Sequence, residues 1–146
     1  MKISDAGIRF LKTREGFRAQ PYHDTGGVIT VGYGHVVRPG EHFDGGISEL
    51  QATSLLRRDV SRAEGTIDIW VHQPLTQNQY DALVSFVFNI GMNAFIKSTM
   101  LRLLNAGKIS QAAGEFERWI YDAKRHPVLK SRREAEEKLF TKGEYV

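Results

Sequence analysis

The sequence of 146 residues predicts a single α+β domain, with one helix, then a small antiparallel sheet, then a larger group of helices. Residues 16–46 combine short alternating runs with several glycines and prolines, a pattern typical of strands and tight turns. Residues 47–146 instead carry apolar side chains at helical spacing together with helix-capping signals. A chain of this length can bury a sizeable core without disulfides, and it contains no cysteine.

The first helix is predicted over residues 4–15. Ser4 or Asp5 can cap its start, and Gly16 is a favourable residue for its carboxyl-terminal cap. The helical spacing of apolar residues then stops. Over residues 16–46, glycines and prolines separate short runs in which apolar and polar residues alternate. We therefore predict a β lobe in this segment.

A connecting helix is predicted over residues 47–67. Ser48 and Gln51 have the spacing of a capping box, in which each side chain accepts a hydrogen bond from the other residue's backbone. Apolar residues alternate with charged ones on several sides of this helix, which is typical of a helix that joins two parts of a fold.

A helical lobe is predicted over residues 74–146, together with the N-terminal helix. Its central helix begins at a second capping box, Thr76 with Gln79, and ends at Gly91. This helix is apolar on much of its circumference, so we expect it to be buried. Three shorter helices should follow, around residues 99–106, from residue 110 to about residue 121, and from about residue 127.

Composition limits the kinds of site that the chain can hold. The formal net charge is +3 at pH 7, which suits an anionic polymer but is compatible with many partners. Without cysteine and without paired spacing of its five histidines, the chain predicts no metal and no other cofactor. The N-terminus lacks the apolar run of a signal peptide, and no stretch is long enough to span a bilayer. We expect the protein to be cytosolic when it is made.

Glu15, Asp24 and Thr30 are the candidate catalytic residues. Asp24 lies nine residues after Glu15, and Thr30 lies six residues further on in an alternating run. A pair of carboxyl groups can act together in acid–base catalysis when one is protonated and donates a proton while the other is ionised. The two groups therefore need different surroundings.

The sequence predicts such different surroundings. Glu15 should lie at the negative end of the first helix, which favours its protonated form. Asp24 precedes glycines in a polar turn, where hydrogen bonding and solvent favour the ionised form. A D-T-G-G segment is also an ordinary hairpin turn, so the two acids alone do not establish an enzyme.

The joint spacing of Glu15, Asp24 and Thr30, followed by G-Y-G-H ending at His35, resembles the phage-type lysozymes of glycoside hydrolase family 24. The run L-T-Q-N-Q-Y-D-A-L and the later F-N-I-G are similar to the lambdoid branch of that family. The resemblance extends over essentially the whole chain. It implies a lysozyme-like α+β fold with a small N-terminal β lobe, a larger C-terminal helical lobe, a long helix joining them and a cleft between them.

The resemblance also implies an activity. The expected reaction is hydrolysis of the β-1,4 bond between N-acetylmuramic acid and N-acetylglucosamine in peptidoglycan, for lysis of the host cell. Glu15 would be the acid, Asp24 the carboxylate on the opposite face, and Thr30 the residue that positions the attacking water. A water held in this way predicts inversion at the anomeric carbon.

Further residues are expected to act around these three. Four candidates for substrate contact are Gly34, Phe88, Asn89 and Gly91. The family places an acid that pairs with the strand-end histidine at Asp59, so His35 is expected to contact Asp59. An arginine near the C-terminus, Arg132 or Arg133, is expected to support the catalytic glutamate. Its positive charge would favour the ionised form of Glu15, whereas the helix end favours the protonated form.

Two alternatives remain open. A lytic transglycosylase would use the same acid but expel its product through an internal hydroxyl, and product masses separate the two enzymes. A nucleic-acid-binding module would use the basic residues Lys124, Arg125, Lys130, Arg132 and Arg133. Three glutamates interrupt this patch, which disfavours a phosphate-binding surface.

The partners implied by the resemblance are the glycan strands of peptidoglycan. We expect a monomer that binds no nucleic acid and does not insert stably into a membrane. It would be made in the host cytoplasm and act on the cell wall after release by a holin.

Overall fold

The computed structural model describes residues 1–146 and confirms the α+β class, with a three-stranded antiparallel sheet and seven α-helices. The strands are β1 (Arg18–His23), β2 (Ile29–Gly32) and β3 (His35–Val36). The helices are α1 (Asp5–Glu15), α2 (Glu49–Trp70), α3 (Gln77–Ile90), α4 (Met92–Ile96), α5 (Thr99–Asn105), α6 (Ile109–Gly114) and α7 (Lys130–Lys142), with a 3₁₀ helix at Glu115–Trp119. No helix combines the length and the apolar character needed to span a membrane.

The chain forms two compact units. The β unit is Leu11–Ser61, and the helical unit is Met1–Phe10 with Arg62–Val146. Helices α1 and α2 therefore contribute residues to both units.

The sheet of the β unit has the strand order β1-β2-β3, and both pairs are antiparallel. Thr30 on β2 lies opposite Tyr22 on β1, and the ladder between Arg18 and Tyr22 is irregular. Gly32, at the end of β2, has a φ of +69°, and a Cβ there would lie 3.1 Å from the Cβ of Ala52. Only glycine satisfies both the backbone conformation and the close approach of α2.

Helix α2 begins as predicted and ends later. The Ser48–Gln51 capping box is present, because each backbone N–H donates to the other residue's side chain, at 2.8 and 3.1 Å. The helix continues to Trp70, three residues beyond the predicted end. Its last carbonyl accepts a hydrogen bond from Asn105 Nδ2 at 2.9 Å, and Asn105 Oδ1 accepts from the backbone of His72 at 2.8 Å. A side chain 35 residues away therefore caps this helix.

Helix α3 is the centre of the helical unit, as predicted. The Thr76–Gln79 capping box and the Gly91 cap are both confirmed. Phe86 on α3 is fully buried and contacts three other rings edge-on, those of Phe95, Phe116 and Trp119. Such edge-to-face ring contacts stabilise a core beyond the area that they bury.

Of the three later helical predictions, the one around residues 99–106 is confirmed by α5, and the other two need correction. The short helix α4 was not predicted, and the segment predicted as one helix from residue 110 is α6 followed by the 3₁₀ helix. The last helix begins at Lys130 rather than near Pro127. Before it, Asp122 Oδ1 accepts hydrogen bonds from the backbone N–H groups of Lys124 at 2.9 Å and His126 at 2.8 Å, which hold a turn instead of a helix start.

Asp81, a buried carboxylate on α3, joins both chain ends to the helical unit. Ser4 donates to it from its backbone at 3.1 Å and from its hydroxyl, and the same hydroxyl accepts from Gly7 N–H at 3.0 Å, so Ser4 rather than Asp5 caps α1. Tyr145 donates to Asp81 at 2.7 Å. Burial, together with this hydrogen bond, raises the pKa of Tyr145 to about 12. The tyrosine therefore stays a neutral donor at physiological pH.

Candidate active site

Glu15 is the last residue of α1, as the sequence predicts. Gly16 ends the helix with a φ of +73°, and its N–H donates to Lys12 O at 2.9 Å. Glu15 Oε1 lies 3.0 Å from the position that a Cβ would take at Gly34, where φ is +77°. A side chain at position 34 would therefore displace the carboxyl group. The fold thus brings Glu15 against Gly34, one of the residues predicted to contact substrate.

Asp24 lies in the exposed turn between β1 and β2. Its Oδ1 accepts hydrogen bonds from the N–H groups of Gly26 at 2.9 Å and Val28 at 2.8 Å. Its own N–H donates to Val28 O at 2.8 Å. These bonds fix the orientation of the carboxylate, whereas Oδ2 makes no hydrogen bond within the protein. The second oxygen is available to a water molecule or a ligand.

Thr30 lies on β2, and the residue is 5% exposed. Its hydroxyl donates to Tyr22 O at 3.5 Å, which is long for a hydrogen bond. The hydroxyl is therefore held weakly by the protein and can exchange this contact for a better partner.

His35 is buried on β3 and contacts two carboxylates. Its Nδ1 lies 2.8 Å from Asp59 Oδ2, so the contact with Asp59 expected from the sequence is present. Its Nε2 lies 2.9 Å from Glu41 Oε1, a partner that the sequence did not predict. Glu41 Oε1 also accepts from the backbone of Arg38 at 2.8 Å, and its other oxygen is 3.4 Å from Arg58. Within the β unit, the histidine joins β3 to the following loop and to α2.

The Glu41 contacts predict a pH-dependent contribution to stability. The backbone N–H of Arg38, followed by His35, lowers the pKa of Glu41. A carboxyl whose folded pKa is lowered stabilises the fold above its unfolded pKa and loses that effect as the pH falls through the folded value. We expect Glu41→Gln to lower the free energy of unfolding by about 1 kcal/mol near neutral pH. The difference from wild type should shrink as the pH falls below the ordinary glutamate value of about 4.3.

Urea unfolding at about pH 7 and about pH 3, on either side of that reference value, measures this difference. Asp44→Asn, which removes an exposed charge from the same loop, is the matched control and should behave like wild type at both pH values. An equal loss of stability at both pH values for Glu41→Gln would contradict the role of the ionised carboxylate.

The other predicted site residues lie in the helical unit. Phe88 is partly exposed and Asn89 is exposed, and both lie in the last turn of α3. Gly91 has a φ of +92° and ends the helix, donating to Val87 O at 2.8 Å. The structure thus places these three residues together at one helix end.

Arg132 and Arg133 on α7 belong to a polar cluster that also includes a residue of α3, the Glu136 cluster. It consists of Ser85, Arg132, Arg133 and Glu136. Glu136 is fully buried and accepts from Arg133 at 2.6 Å, from Arg132 at 3.2 Å and from the Ser85 hydroxyl at 2.6 Å. Glu136 lies among other charged residues in the sequence, a pattern that is typical of a solvated helix face. The only signal in the sequence for its contact with an arginine is its position one helical turn from Arg132.

The chain is similar to known proteins along nearly its whole length. The phage lysozyme family model matches residues 12–136. The endolysin of Acyrthosiphon pisum secondary endosymbiont phage 1 is 41% identical over 145 residues, covering 96% of this chain and 98% of that protein. A crystal structure of a mutant lysozyme of Salmonella phage P22 has a TM-score of 0.88 at 40% identity and covers 96% of this chain and 98% of its own.

A further solved structure, the muramidase domain of SpmX from Asticaccaulis excentricus, has a TM-score of 0.86 at 38% identity and covers 96% of this chain and 97% of its own. The family model covers most of the chain, and the relatives match along nearly its whole length. The chain therefore belongs to the phage lysozyme family.

Proposed function

We propose that this chain is an endolysin that hydrolyses the β-1,4 bond between N-acetylmuramic acid and N-acetylglucosamine in bacterial peptidoglycan. Its family makes it a glycoside hydrolase that degrades peptidoglycan. The observation that carries the finer proposal is the geometry of Asp24, whose carboxylate is oriented through one oxygen and leaves the other available. This is the arrangement that activation of a water molecule requires.

The proposed mechanism assigns one step to each of three residues. Glu15 donates its proton to the glycosidic oxygen as the bond to the anomeric carbon breaks. Asp24 accepts, through Oδ2, a proton from the water that attacks the anomeric carbon from the opposite face. Thr30 positions this water through its hydroxyl, whose bond to Tyr22 O is long and easily exchanged. Proton transfer thus leaves Glu15 ionised and Asp24 protonated, and solvent restores both.

Support for Glu15 as the acid comes from its position. It is the last residue of α1 and directly precedes Gly16, which ends the helix. Gly34 provides the space that its carboxyl group occupies. We propose that His35 and Asp59 hold the strand residue next to Gly34 in place, since their contact joins β3 to α2.

This mechanism predicts inversion of configuration. If water attacks directly, the first product of the β-linked glycan is the α-anomer. Proton NMR of fresh product from a soluble wall oligosaccharide reports which anomer appears before mutarotation. An initial β-anomer would show that Asp24 is a nucleophile, and it would contradict the role of Thr30.

The same sample separates a hydrolase from a lytic transglycosylase. A hydrolase adds one water molecule per bond cleaved, whereas a transglycosylase leaves the product mass lower by that water. Membership of the phage lysozyme family favours the hydrolase.

The proposed cellular role follows from the named relatives, which are endolysins of phages. We propose that the protein acts as a monomer of 16.5 kDa. It would be made in the host cytoplasm and reach the wall after a holin has opened the membrane.

A further inference from the structure

One buried aromatic side chain lies between two glycines at the turn from β2 to β3. Gly32 and Gly34 both have a positive φ, and neither has a side chain that could fix the backbone of the turn. Tyr33, between them, is only 6% exposed. The contacts of Tyr33 therefore decide where this turn lies.

Tyr33 contacts the end of α1 on both sides of Glu15. The centre of its ring lies 5.5 Å from the centre of the Phe17 ring, and the two ring planes are tilted by 46°. Nζ of Lys12 also lies 5.5 Å from the centre of the Tyr33 ring. Tilted ring pairs at this separation attract each other, and so do a cation and the face of a ring. Lys12 precedes Glu15 by one helical turn and Phe17 follows it by two residues, so the glutamate lies between two contacts with the same ring.

The hydroxyl group of Tyr33 contacts the start of α2. It donates to Glu49 Oε1 at 3.2 Å, and the same oxygen accepts from Lys12 Nζ at 2.8 Å. Burial, followed by the hydrogen bond to Glu49, raises the pKa of Tyr33, so the hydroxyl group remains a neutral donor. The Glu49 side chain is 53% exposed, and exposed ion pairs stabilise a fold only weakly. We therefore expect the contact between the two rings to hold the turn more firmly than the hydroxyl group does.

We propose that Tyr33 is a positioning residue for Glu15, which holds the end of α1 against the turn from β2 to β3 through the ring of Phe17. This inference rests on the proposed function of Glu15 as the acid. All of these residues belong to the β unit.

The reason lies in the contact between Glu15 and Gly34, the residue after Tyr33. Glu15 Oε1 lies 3.0 Å from the position that a Cβ would take at Gly34. Movement of the turn relative to the helix end would therefore move the carboxyl group as well. A general acid must lie within hydrogen-bond reach of the atom that it protonates, and a displacement of about 1 Å can lower the rate about 10²-fold.

The test compares two substrates that differ in their need for the acid. In a soluble glycan strand the leaving group is a sugar alcohol, which requires a proton from the acid. A muramic acid oligosaccharide with a β-linked dinitrophenyl group releases a stable phenolate anion, which leaves without protonation. Displacement of Glu15 should therefore slow the first reaction and not the second.

Phe17→Ala and Tyr33→Leu each remove one of the two rings. Phe17 is 40% exposed, so its replacement leaves the core of the β unit intact. Each variant should lower kcat on the glycan strand by about 10- to 100-fold and change KM by less than about twofold. On the dinitrophenyl substrate, kcat should stay within about twofold of wild type.

Two further variants complete the set. Tyr33→Phe keeps the ring and should recover the activity that Tyr33→Leu loses. Tyr121→Ala is the matched control, since it removes an exposed aromatic side chain from the helical unit, and it should behave like wild type on both substrates.

Three results would overturn the inference. Equal losses on the two substrates would show a general disturbance of the site. Wild-type kcat of Phe17→Ala on the glycan strand would show that the ring contact does not position the acid. Failure of Tyr33→Phe to recover activity would assign the effect to the hydroxyl group.

Glu15→Gln on the same two substrates tests the proposed function separately. It should lose activity on the glycan strand and retain it on the dinitrophenyl substrate. If its losses on the two substrates were equal, Glu15 would not be the acid, whatever the Tyr33 and Phe17 variants showed.

Discussion

Replacing Glu15 with glutamine is expected to lower peptidoglycan hydrolysis by about 10²- to 10⁴-fold, the range typical for loss of a general acid. The amide keeps the shape of the carboxyl group and its fit against Gly34, but it cannot donate a proton to the leaving oxygen. The variant should therefore remain folded, with a far-ultraviolet circular dichroism spectrum like that of wild type. Release of reducing ends from purified walls measures the activity.

The matched control is Glu134→Gln, which makes the same chemical change at an exposed position of α7. It should retain the activity of wild type, and so exclude a general effect of net charge on binding to an anionic wall. If the activity of Glu15→Gln were within about threefold of that of the control, the loss would be far too small for removal of a general acid. Glu15 would then need another role.

The second large effect concerns stability. Glu136→Ala is expected to lower the free energy of unfolding by about 3 to 5 kcal/mol, because it removes the carboxylate shared by the buried guanidinium of Arg133 and the partly buried guanidinium of Arg132. Arg133 is 1% exposed, and the Arg132 side chain is 11% exposed, so water cannot easily replace the lost partner. Ser85 loses its acceptor at the same time. Urea unfolding followed by tryptophan fluorescence measures the change.

Glu134→Ala on the same helix is the control, since it removes an exposed glutamate and should change stability by less than about 0.5 kcal/mol. A loss below about 1 kcal/mol for Glu136→Ala would mean that the arginines find other acceptors. Both variants replace glutamate by alanine and so change helix propensity equally. The difference between their unfolding free energies therefore reports the contribution of the Glu136 cluster alone.

Local signals in the sequence were sufficient for several elements. Both capping boxes, at Ser48 and at Thr76, pair residues three positions apart, so their geometry follows once a helix begins. The end of α1 at Gly16 was equally predictable, because glycine readily adopts the positive φ found there. The short helix α4 was missed because five residues cannot show helical periodicity.

Other features depended on residues distant in sequence. Helix α2 extends to Trp70 because Asn105 caps it, and no local pattern predicts that partner. Glu136 is fully buried although its neighbours in sequence are charged, since Arg132, Arg133 and Ser85 donate hydrogen bonds to its carboxylate. Burial of a charged side chain is decided by its partners and not by its residue type.

The sequence by itself determined the fold class, the starts of α2 and α3 and the spacing of the candidate catalytic residues, because these depend on periodicity, capping and spacing along the chain. Only the tertiary structure decided which oxygen of Asp24 is occupied, which second carboxylate contacts His35, and which donors surround Glu136. These features depend on hydrogen bonds whose direction is set by the three-dimensional placement of donor and acceptor. A linear pattern of residue types does not specify that placement.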